Sequence, residues 1–447
     1  MAGIKLDHRC GQVLAIGLLW SGLPASATPA AQPGPAAQPV TAAAVQAKPS
    51  PAQPSILHLS DVHLNTSSES TTYGVDTGLA LWRATKLKLD SILNGAQPPR
   101  FVIYTGDLPA HYSCSKHCYL PPNQRASHNA NMKMILADLR DLVAKSRIPL
   151  FFVPGNNDGL AGDYFSFADR REATPFSLVP DATNPYPALN AARQCGTAPC
   201  LLADPHPKLG YYAARPIEGL RLIGLNTIIW GTTYWSVDGI SQRDAGNTQM
   251  AWLAQQLKAA AAAGEKVYIL MHIPPGMDAY AVSTGSPTPT MWAQLPTTGI
   301  NWQDQFLGLV DQHAASVTGL FYGHTHMDEV RLLYDRSGQK VTQVAISSPG
   351  VTPLDSNNPG FKMISYDPAS KEPTDFVTYY TTPSAPSWGA ASYRFSDAYG
   401  CGNKTIRACL QQLTPAEVTT RMNTVFTVMN GLPTYATAPG IPVKFGQ

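Results

Sequence analysis

Charge is scarce in this 447-residue chain: Asp, Glu, Lys and Arg make up 14% of it, against roughly a quarter in an average soluble protein. The 32 basic and 30 acidic side chains nearly cancel, leaving a net charge of +2, and Lys and Arg nowhere gather into a block. Nucleic-acid binding, or a partner on an anionic membrane, therefore has no electrostatic support. Long apolar runs are missing too. The N-terminal run at 13–23 falls short of the ~20 residues a membrane span needs, and no other stretch is long and apolar enough. Internal repeats are absent, and the seven cysteines are few for so long a chain.

What is present begins with an address. Lys5 and Arg9 precede the apolar run and Ala25-Ser26-Ala27 offers a small-residue cleavage site. Residues 1–27 thus read as a signal peptide, and the chain as secreted or periplasmic. No cysteine follows the run at a small-residue site, which argues against a lipoprotein. Residues 28–54, mostly Ala, Pro and Gln, cannot build a core and read as an extended linker. Losing the signal removes Cys10 and leaves six of the seven cysteines, in the close pairs Cys114/Cys118, Cys195/Cys200 and Cys401/Cys409. An even count in an exported chain predicts disulfides, here three local ones. The alternative, a zinc site around Cys114, His117 and Cys118, lacks a second pair at zinc-finger spacing.

Beyond the linker, short apolar runs alternate with helical patterns. Strands are predicted at 55–59, 101–104 and 150–153. Between them come helices at 78–93, with Leu79, Trp82, Leu87 and Leu89 apolar, and at 129–145, with Met132, Ile135, Leu136, Leu139 and Leu142. That order implies α/β layering with a largely parallel sheet. Residues 155–208 read as a loop-rich insertion. Strands follow at 209–213 and 220–225, then a helix through Met250, Leu253 and Leu257 that stops at Gly264. A strand at 267–271, a helix at 302–313 and a strand at 317–322 continue the alternation. From 330 to 380 short strands run without helices, which predicts a second, mixed or antiparallel sheet; 415–430 is predicted helical.

Five of the strands end in clusters of Gly, Asp, His or Asn. They are Leu57-His58-Leu59-Ser60-Asp61-Val62-His63, Tyr104-Thr105-Gly106-Asp107 and Val153-Pro154-Gly155-Asn156-Asn157-Asp158, then Leu270-Met271-His272-Ile273-Pro274-Pro275-Gly276 and Phe321-Tyr322-Gly323-His324-Thr325-His326. Ligands of open α/β sheets sit outside the carboxyl ends of the strands, so these clusters can converge on one crevice. Asp61 and His63 are two apart, as are His324 and His326, and on an extended backbone each pair points to one side. Glycine before Asp107, Asn156 and His324 allows sharp turns and close approach of the backbone. Carboxylate, imidazole and amide oxygen together suit Zn, Mn or Fe. Any one cluster alone is as easily structural; all five in this order are not.

The set resembles the calcineurin-like metallophosphoesterase family over residues 55–330, and within it the acid sphingomyelinase-like phosphodiesterases. The closer likeness rests on Thr105-Gly106-Asp107-Leu108-Pro109-Ala110-His111 and His272-Ile273-Pro274-Pro275-Gly276, with Gln249, Trp252 and Leu253 in the preceding helix. It implies a four-layered α-β-β-α sandwich over 55–382 with a loop-rich insertion, and a C-terminal extension, 383–447, partly helical and packed on it. It also implies two divalent ions, zinc first, with manganese or iron as alternatives. Asp61, His63, Asp107 and His326 would hold one, and Asp107, Asn156, His272 and His324 the other. An oxygen bridging both would attack a phosphate ester, a phospholipid head group or a nucleotide diester, while His111 protonates the leaving oxygen.

One departure stands out. Many relatives have a histidine directly after the ligand Asn, where this chain has Asn157; an amide can donate a hydrogen bond to phosphate but gives up no proton. Asp158 is expected either to orient a neighbouring ligand or to cap a following helix. Tyr112, Tyr164, Phe165 and Tyr234 are candidates to line a base or choline site. The alternative functions are a nucleotide or general phosphomonoesterase, and a binding protein that keeps the scaffold without turnover.

Overall fold

The computed structural model describes residues 53–447 except 113–119, 180–187, 190–193, 196–197, 203–205, 288, 296–298, 390, 426–427 and 431–437. The expected signal peptide, residues 28–52 of the linker and the Cys114/Cys118 pair lie outside the described residues.

Strand β1 (Ser55–Leu59) is buried along nearly its whole length because both neighbours are strands and both faces are covered. β2 (Val102–Tyr104) and β3 (Leu150–Phe152) run parallel to it in register, Leu57 opposite Val102 and Tyr104 opposite Phe152. β4 (Ala188–Leu189), from the insertion, closes that edge antiparallel. The second sheet is built from β5 (Tyr212–Ile217), β6 (Leu220–Gly224), β7 (Lys266–Leu270), β8 (Val317–Tyr322), β9 (Val330–Tyr334) and β10 (Val341–Ser347). In it β6, β7, β8 and β10 are parallel, and β5 and β9 pair antiparallel at its flanks.

Contrary to the expectation from its pattern, the run from 330 to 380 does not form a sheet of its own. Its first two strands join the second sheet, whereas β11 (Gly360–Tyr366) and β12 (Pro373–Tyr380) cross over and pair antiparallel beside β1. Apolar alternation reports a half-buried strand but not its neighbour, so the partition was invisible to it. β13 (Ser392–Arg394) then pairs with β12, and β14 (Pro442–Val443) with β9. Both sheets are seven-stranded, in the orders β13-β12-β11-β1-β2-β3-β4 and β14-β9-β10-β8-β7-β6-β5.

Helices α1 (Leu79–Leu93) and α2 (Pro122–Ser146) lay Trp82, Leu89, Met132, Ile135 and Leu139 on the first sheet. α3 (Gln242–Ala262) and α4 (Trp302–Gln312) cover the second with Leu253, Leu257, Trp302 and Phe306. Between the sheets the Tyr268 ring lies 5.2 Å from Phe321 and 6.5 Å from Phe101. This is the expected α-β-β-α order. Leu87, one of the apolar positions of the predicted helix, is 73% exposed; it lies five residues from Trp82, about 140° around the helix. α2 starts seven residues earlier than predicted, with proline in its first turn, where the missing N–H costs nothing. β5 starts later than 209, and α5 (Pro415–Met422) stops well short of 430, its start fixed by a Thr414/Glu417 capping box. Disulfides join Cys195 to Cys200 and Cys401 to Cys409.

A buried ion pair anchors the last of the five clusters. Lys362, in β11, is fully enclosed, 2.6 Å from Asp328 Oδ1, and its ammonium lies 4.8 Å from the Phe376 ring centre. Tyr393 donates to Asp328 Oδ2 at 2.8 Å. Burial lowers the Lys362 pKa, and the Asp328 carboxylate opposes that. Asp328 follows His326 by two residues, so the pair ties the end of that cluster into the core. Asp328→Ala should lower unfolding free energy by about 3–5 kcal/mol, since it leaves a buried cation without a partner. Adding Lys362→Met should recover most of that, and urea denaturation of both variants checks it. A loss below about 1 kcal/mol in the single variant would show the ammonium reaching water.

Candidate metal centre

Because β1, β2 and β3 run parallel, and β7 and β8 likewise, the five clusters all leave carboxyl ends of strands. The first sheet delivers Asp61 and His63, Asp107, and Asn156; the second delivers His272, then His324 and His326. The backbone there is not extended, as the two-residue spacing had suggested. Asp61, His63, Asp107, His324 and His326 take φ of 48°, 45°, 64°, 74° and 56°. Left-handed backbone costs a non-glycine residue on the order of 1 kcal/mol or more and persists only where the surroundings over-determine it. Here they do. Asp61 N–H donates to the Gly106 carbonyl at 3.0 Å, Val62 N–H to that of Asp107 at 3.0 Å, and Gly350 N–H to that of His326 at 3.1 Å. His324 N–H donates to the Asp61 carboxylate at 3.0 Å, a bond between the two sheets.

Glycine is required before all three ligands Asp107, Asn156 and His324: at Gly323 a Cβ would run into Ser60 Oγ and lie 2.6 Å from Asp61 Oδ2, and Gly106 and Gly155 face each other. Gly106 has φ +98°, and a Cβ there would lie 2.5 Å from the Gly155 nitrogen; a Cβ on Gly155 would lie 2.1 Å from Asp107 Oδ1. Only two bare backbones can pass so closely.

The donors fall into two groups that share one atom. In the first, His63 Nε2 is 3.1 Å from His326 Nε2, 3.9 Å from Asp61 Oδ1 and 3.3 Å from Asp107 Oδ2. In the second, His272 Nε2 is 3.2 Å from the same Asp107 oxygen and 2.9 Å from Asn156 Oδ1, which lies 2.9 Å from His324 Nδ1. The other ring nitrogens of His63, His272 and His326 each have an oxygen within 3.0 Å. His63 Nδ1 donates to the Pro109 carbonyl at 3.0 Å and His272 Nδ1 to that of Thr105 at 2.6 Å, while His326 Nδ1 sits 2.8 Å from Asp355 Oδ2. A carbonyl only accepts, so Nδ1 of His63 and of His272 carries hydrogen and their Nε2 lone pairs face inward.

That arrangement fits divalent metal ions. Donors around a point at ~2.0–2.2 Å lie roughly 3.0–3.6 Å from one another, and two imidazole nitrogens turned face to face have otherwise nothing to share but a proton. The pKa shifts follow from the crowding. Burial lowers His63, with the charge of His111 adding to it. Burial also opposes charging of His272 and His326, yet Asp107 lifts the first and Asp355 the second to about 9. Asp107 itself is held well below the usual carboxylate range, burial notwithstanding, by His272 and His63.

Around this core the remaining sequence candidates separate. The His111 ring stacks on His63, centroids 3.9 Å apart, and lies 6.0 Å from His326. Asn157 is buried and turned towards Asp107, donating its backbone N–H to Oδ1 at 2.8 Å and its side-chain nitrogen to Oδ2 at 3.0 Å. Asp158 caps no helix. Its carboxylate accepts from the N–H groups of Asp107, Leu108 and Gly155 at 2.9, 2.7 and 2.6 Å, clamping the second and third clusters together. Burial, and then the charge of Asp107, push its pKa up to about 7. His58 stays outside the centre, bonded to Thr105 Oγ1 at 2.9 Å. Of the aromatic candidates, Tyr164 donates its N–H to the Asn156 carbonyl at 2.7 Å and Tyr112 accepts from Asn131 at 2.7 Å. Phe165 packs with Ala161 and Val237, and Tyr234 against the second core.

Three carboxylates of the centre gave no signal in the sequence. Asp76 pairs with His111 at 2.9 Å and Asp355 with His326. Asp163 accepts the Asn156 side-chain nitrogen at 2.8 Å, which turns Oδ1 into the centre. Each is a loop aspartate whose spacing to its partner follows no motif.

The chain matches the family model described as calcineurin-like phosphoesterase over residues 54–328. Cyclic GMP-AMP phosphodiesterase SMPDL3A of Rattus norvegicus is 26% identical over 344 residues, which are 72% of this chain and 68% of the relative. Sphingomyelin phosphodiesterase of Bos taurus is 26% identical over 70% of this chain and 47% of its own length. Sphingomyelinase phosphodiesterase D of Dictyostelium discoideum is 33% identical over 38% of this chain and 37% of its own length.

Asp158→Asn turns an amide N–H towards backbone donors, which should cost about 1–3 kcal/mol of stability. Loosening Asp107 should also weaken the affinity for a divalent metal ion by about 10–100-fold. Thermal melting with and without chelator, and zinc titration against a competing dye, measure the two effects; unchanged affinity would mean that Asp158 does not hold the ligand loops.

Proposed function

The chain belongs to the calcineurin-like phosphoesterase family and is a hydrolase of phosphoric esters, and from that premise we propose that it is an exported dinuclear phosphodiesterase. The observation that carries the reading is the shared oxygen: Asp107 Oδ2 lies 3.3 Å from His63 Nε2 and 3.2 Å from His272 Nε2. One carboxylate oxygen between two donor groups is what a bridged pair of ions needs. In this reading Asp61, His63, Asp107 and His326 hold one ion and Asp107, Asn156, His272 and His324 the other, with zinc preferred. Two such ions supply Lewis acidity, activating water near neutral pH and neutralising charge on the phosphate oxygens.

The chain's own residues do the rest. Asn157 is committed to both Asp107 oxygens, so its part is to hold the bridging carboxylate. That leaves His111, stacked beside His63, to protonate the leaving oxygen. The matched relatives from Rattus norvegicus and Bos taurus are diesterases of cyclic GMP-AMP and sphingomyelin, which supports a diester here, with either a nucleotide or a phospholipid head group as substrate class. Export is supported by the N-terminal signal pattern and by the two disulfides among the described residues. Among the described residues no helix is long and apolar enough to cross a membrane.

Purified protein supplied with zinc or manganese should cleave bis-p-nitrophenyl phosphate faster than p-nitrophenyl phosphate. Faster cleavage of the monoester would favour the phosphomonoesterase alternative, and no turnover of either ester by protein carrying two ions per chain would sink the enzymatic reading. Asp107→Asn should lose metal and activity together, by on the order of 10³-fold or more in rate. Full metal content in that variant, measured by atomic emission, would refute the bridging role.

A further inference from the structure

Asp76 belongs to none of the five strand-end clusters, yet its carboxylate takes two bonds from one residue. Oδ2 accepts the backbone N–H of His111 at 2.8 Å and Oδ1 accepts its ring Nδ1 at 2.9 Å. Thr352 Oγ1 donates to Oδ1 at 3.4 Å. The burial runs from inside outwards: the Asp76 side chain is 10% exposed and that of His111 35%. One face of the ring lies on His63, the planes 18° apart. The hydrogen bond fixes the ring's rotation and the stack fixes its tilt. Nε2 is the nitrogen left free, and a ring nitrogen of His111 lies within 4.8 Å of those of His63 and His326.

The fold delivers this pair as a unit with the metal centre. Thr77 N–H donates to the His63 carbonyl at 3.2 Å, and Asn65 N–H to that of Thr77 at 2.8 Å. On the other side Leu64 N–H donates to the Leu108 carbonyl at 2.8 Å, and Ala110 N–H to that of Leu64 at 3.0 Å. Three short segments are laced in parallel, with Leu64 bridged to Thr77 and to Pro109. Asp76 and His111 are the residues just outside that lacing, one on each flank of the strand end that carries His63.

We propose that Asp76 is the positioning residue of His111, holding its ring so that Nε2–H meets the leaving oxygen of an ester bound at the metal centre; this rests on His111 as the acid. As the phosphorus–oxygen bond breaks, its electron pair stays on the leaving oxygen and the Nε2 proton passes to that oxygen. Water supplies the new phosphorus–oxygen bond and later restores the proton. Nδ1–H stays on Asp76 throughout. A carboxylate suits a ring with hydrogen on both nitrogens; an amide, which brings its own N–H, does not.

The test compares diphenyl phosphate, whose phenolate leaves poorly, with bis-p-nitrophenyl phosphate, whose p-nitrophenolate needs little proton assistance. Asp76→Asn should lower kcat on diphenyl phosphate by about 10²-fold and on bis-p-nitrophenyl phosphate by no more than about tenfold. KM and metal content should stay within about twofold, because nothing in the ligand set is touched. His111→Ala should show the same split, and adding Asp76→Asn to it should lower the rate no further, since Asp76 acts through a ring that is no longer there. Equal losses on both esters, loss of metal, or a further drop in the double variant would each overturn the proposal. Should Asp76→Asn melt well below the parent protein, Asp76→Glu carries the same test: it keeps the charge, displaces the ring and should show a smaller split of the same sign, and no split would overturn the proposal. If the parent protein cleaves neither ester, the functional reading has failed instead.

Discussion

Everything at the centre of this molecule turns on one carboxylate. Asp107 sits in left-handed backbone at the end of β2, its Oδ2 reaching His63 of its own sheet and His272 of the other. Asn157 donates to both of its oxygens, and Asp158 clamps its backbone N–H. A side chain so constrained can bridge the two layers only if the loops around it lie almost in contact, hence the two bare glycine backbones at 106 and 155. The closeness of those loops, more than the identity of any one donor, makes the centre possible.

The scarcity of charge looks different in that light. A chain with 14% charged residues has little to place, and it buries several of its charges where they organise the centre: Asp61, Asp107, Asp158 and the Lys362–Asp328 pair are all enclosed. Each is satisfied by backbone N–H groups, imidazoles or an opposite charge, without which burial would be prohibitive. Between them these contacts run from the core of β11 to the loop after β8, so fold and site share one set of polar bonds.

Much of this was legible in the amino-acid sequence, for definable reasons. Parallel strands buried on both faces are mostly apolar along their length, and 55–59, 150–153 and 317–322 were readable as such. The His, Asp and Asn clusters announced themselves because each follows such a run. What stayed hidden was whatever depends on a remote neighbour. Alternation could not say that β9 and β10 join one sheet and β11 and β12 the other. Nor could spacing show that Asp61 and His63 reach one site through positive φ instead of an extended chain. Asp76, Asp163 and Asp355 were unreadable for the same reason: each is one loop aspartate among many until the fold sets it against a particular histidine or amide.

The two short strands near the C-terminus carry a consequence for how the chain comes together. β13 and β14 lie at the rims of different sheets, and both belong to residues synthesised after all the ligands. Until they arrive, β12 and β9 each expose a row of unpaired amides and carbonyls, the kind of rim to which a strand from another molecule adds. Every residue of the candidate centre thus precedes both sealing strands in the chain. A chain cut before residue 392 would keep every ligand and lose both seals.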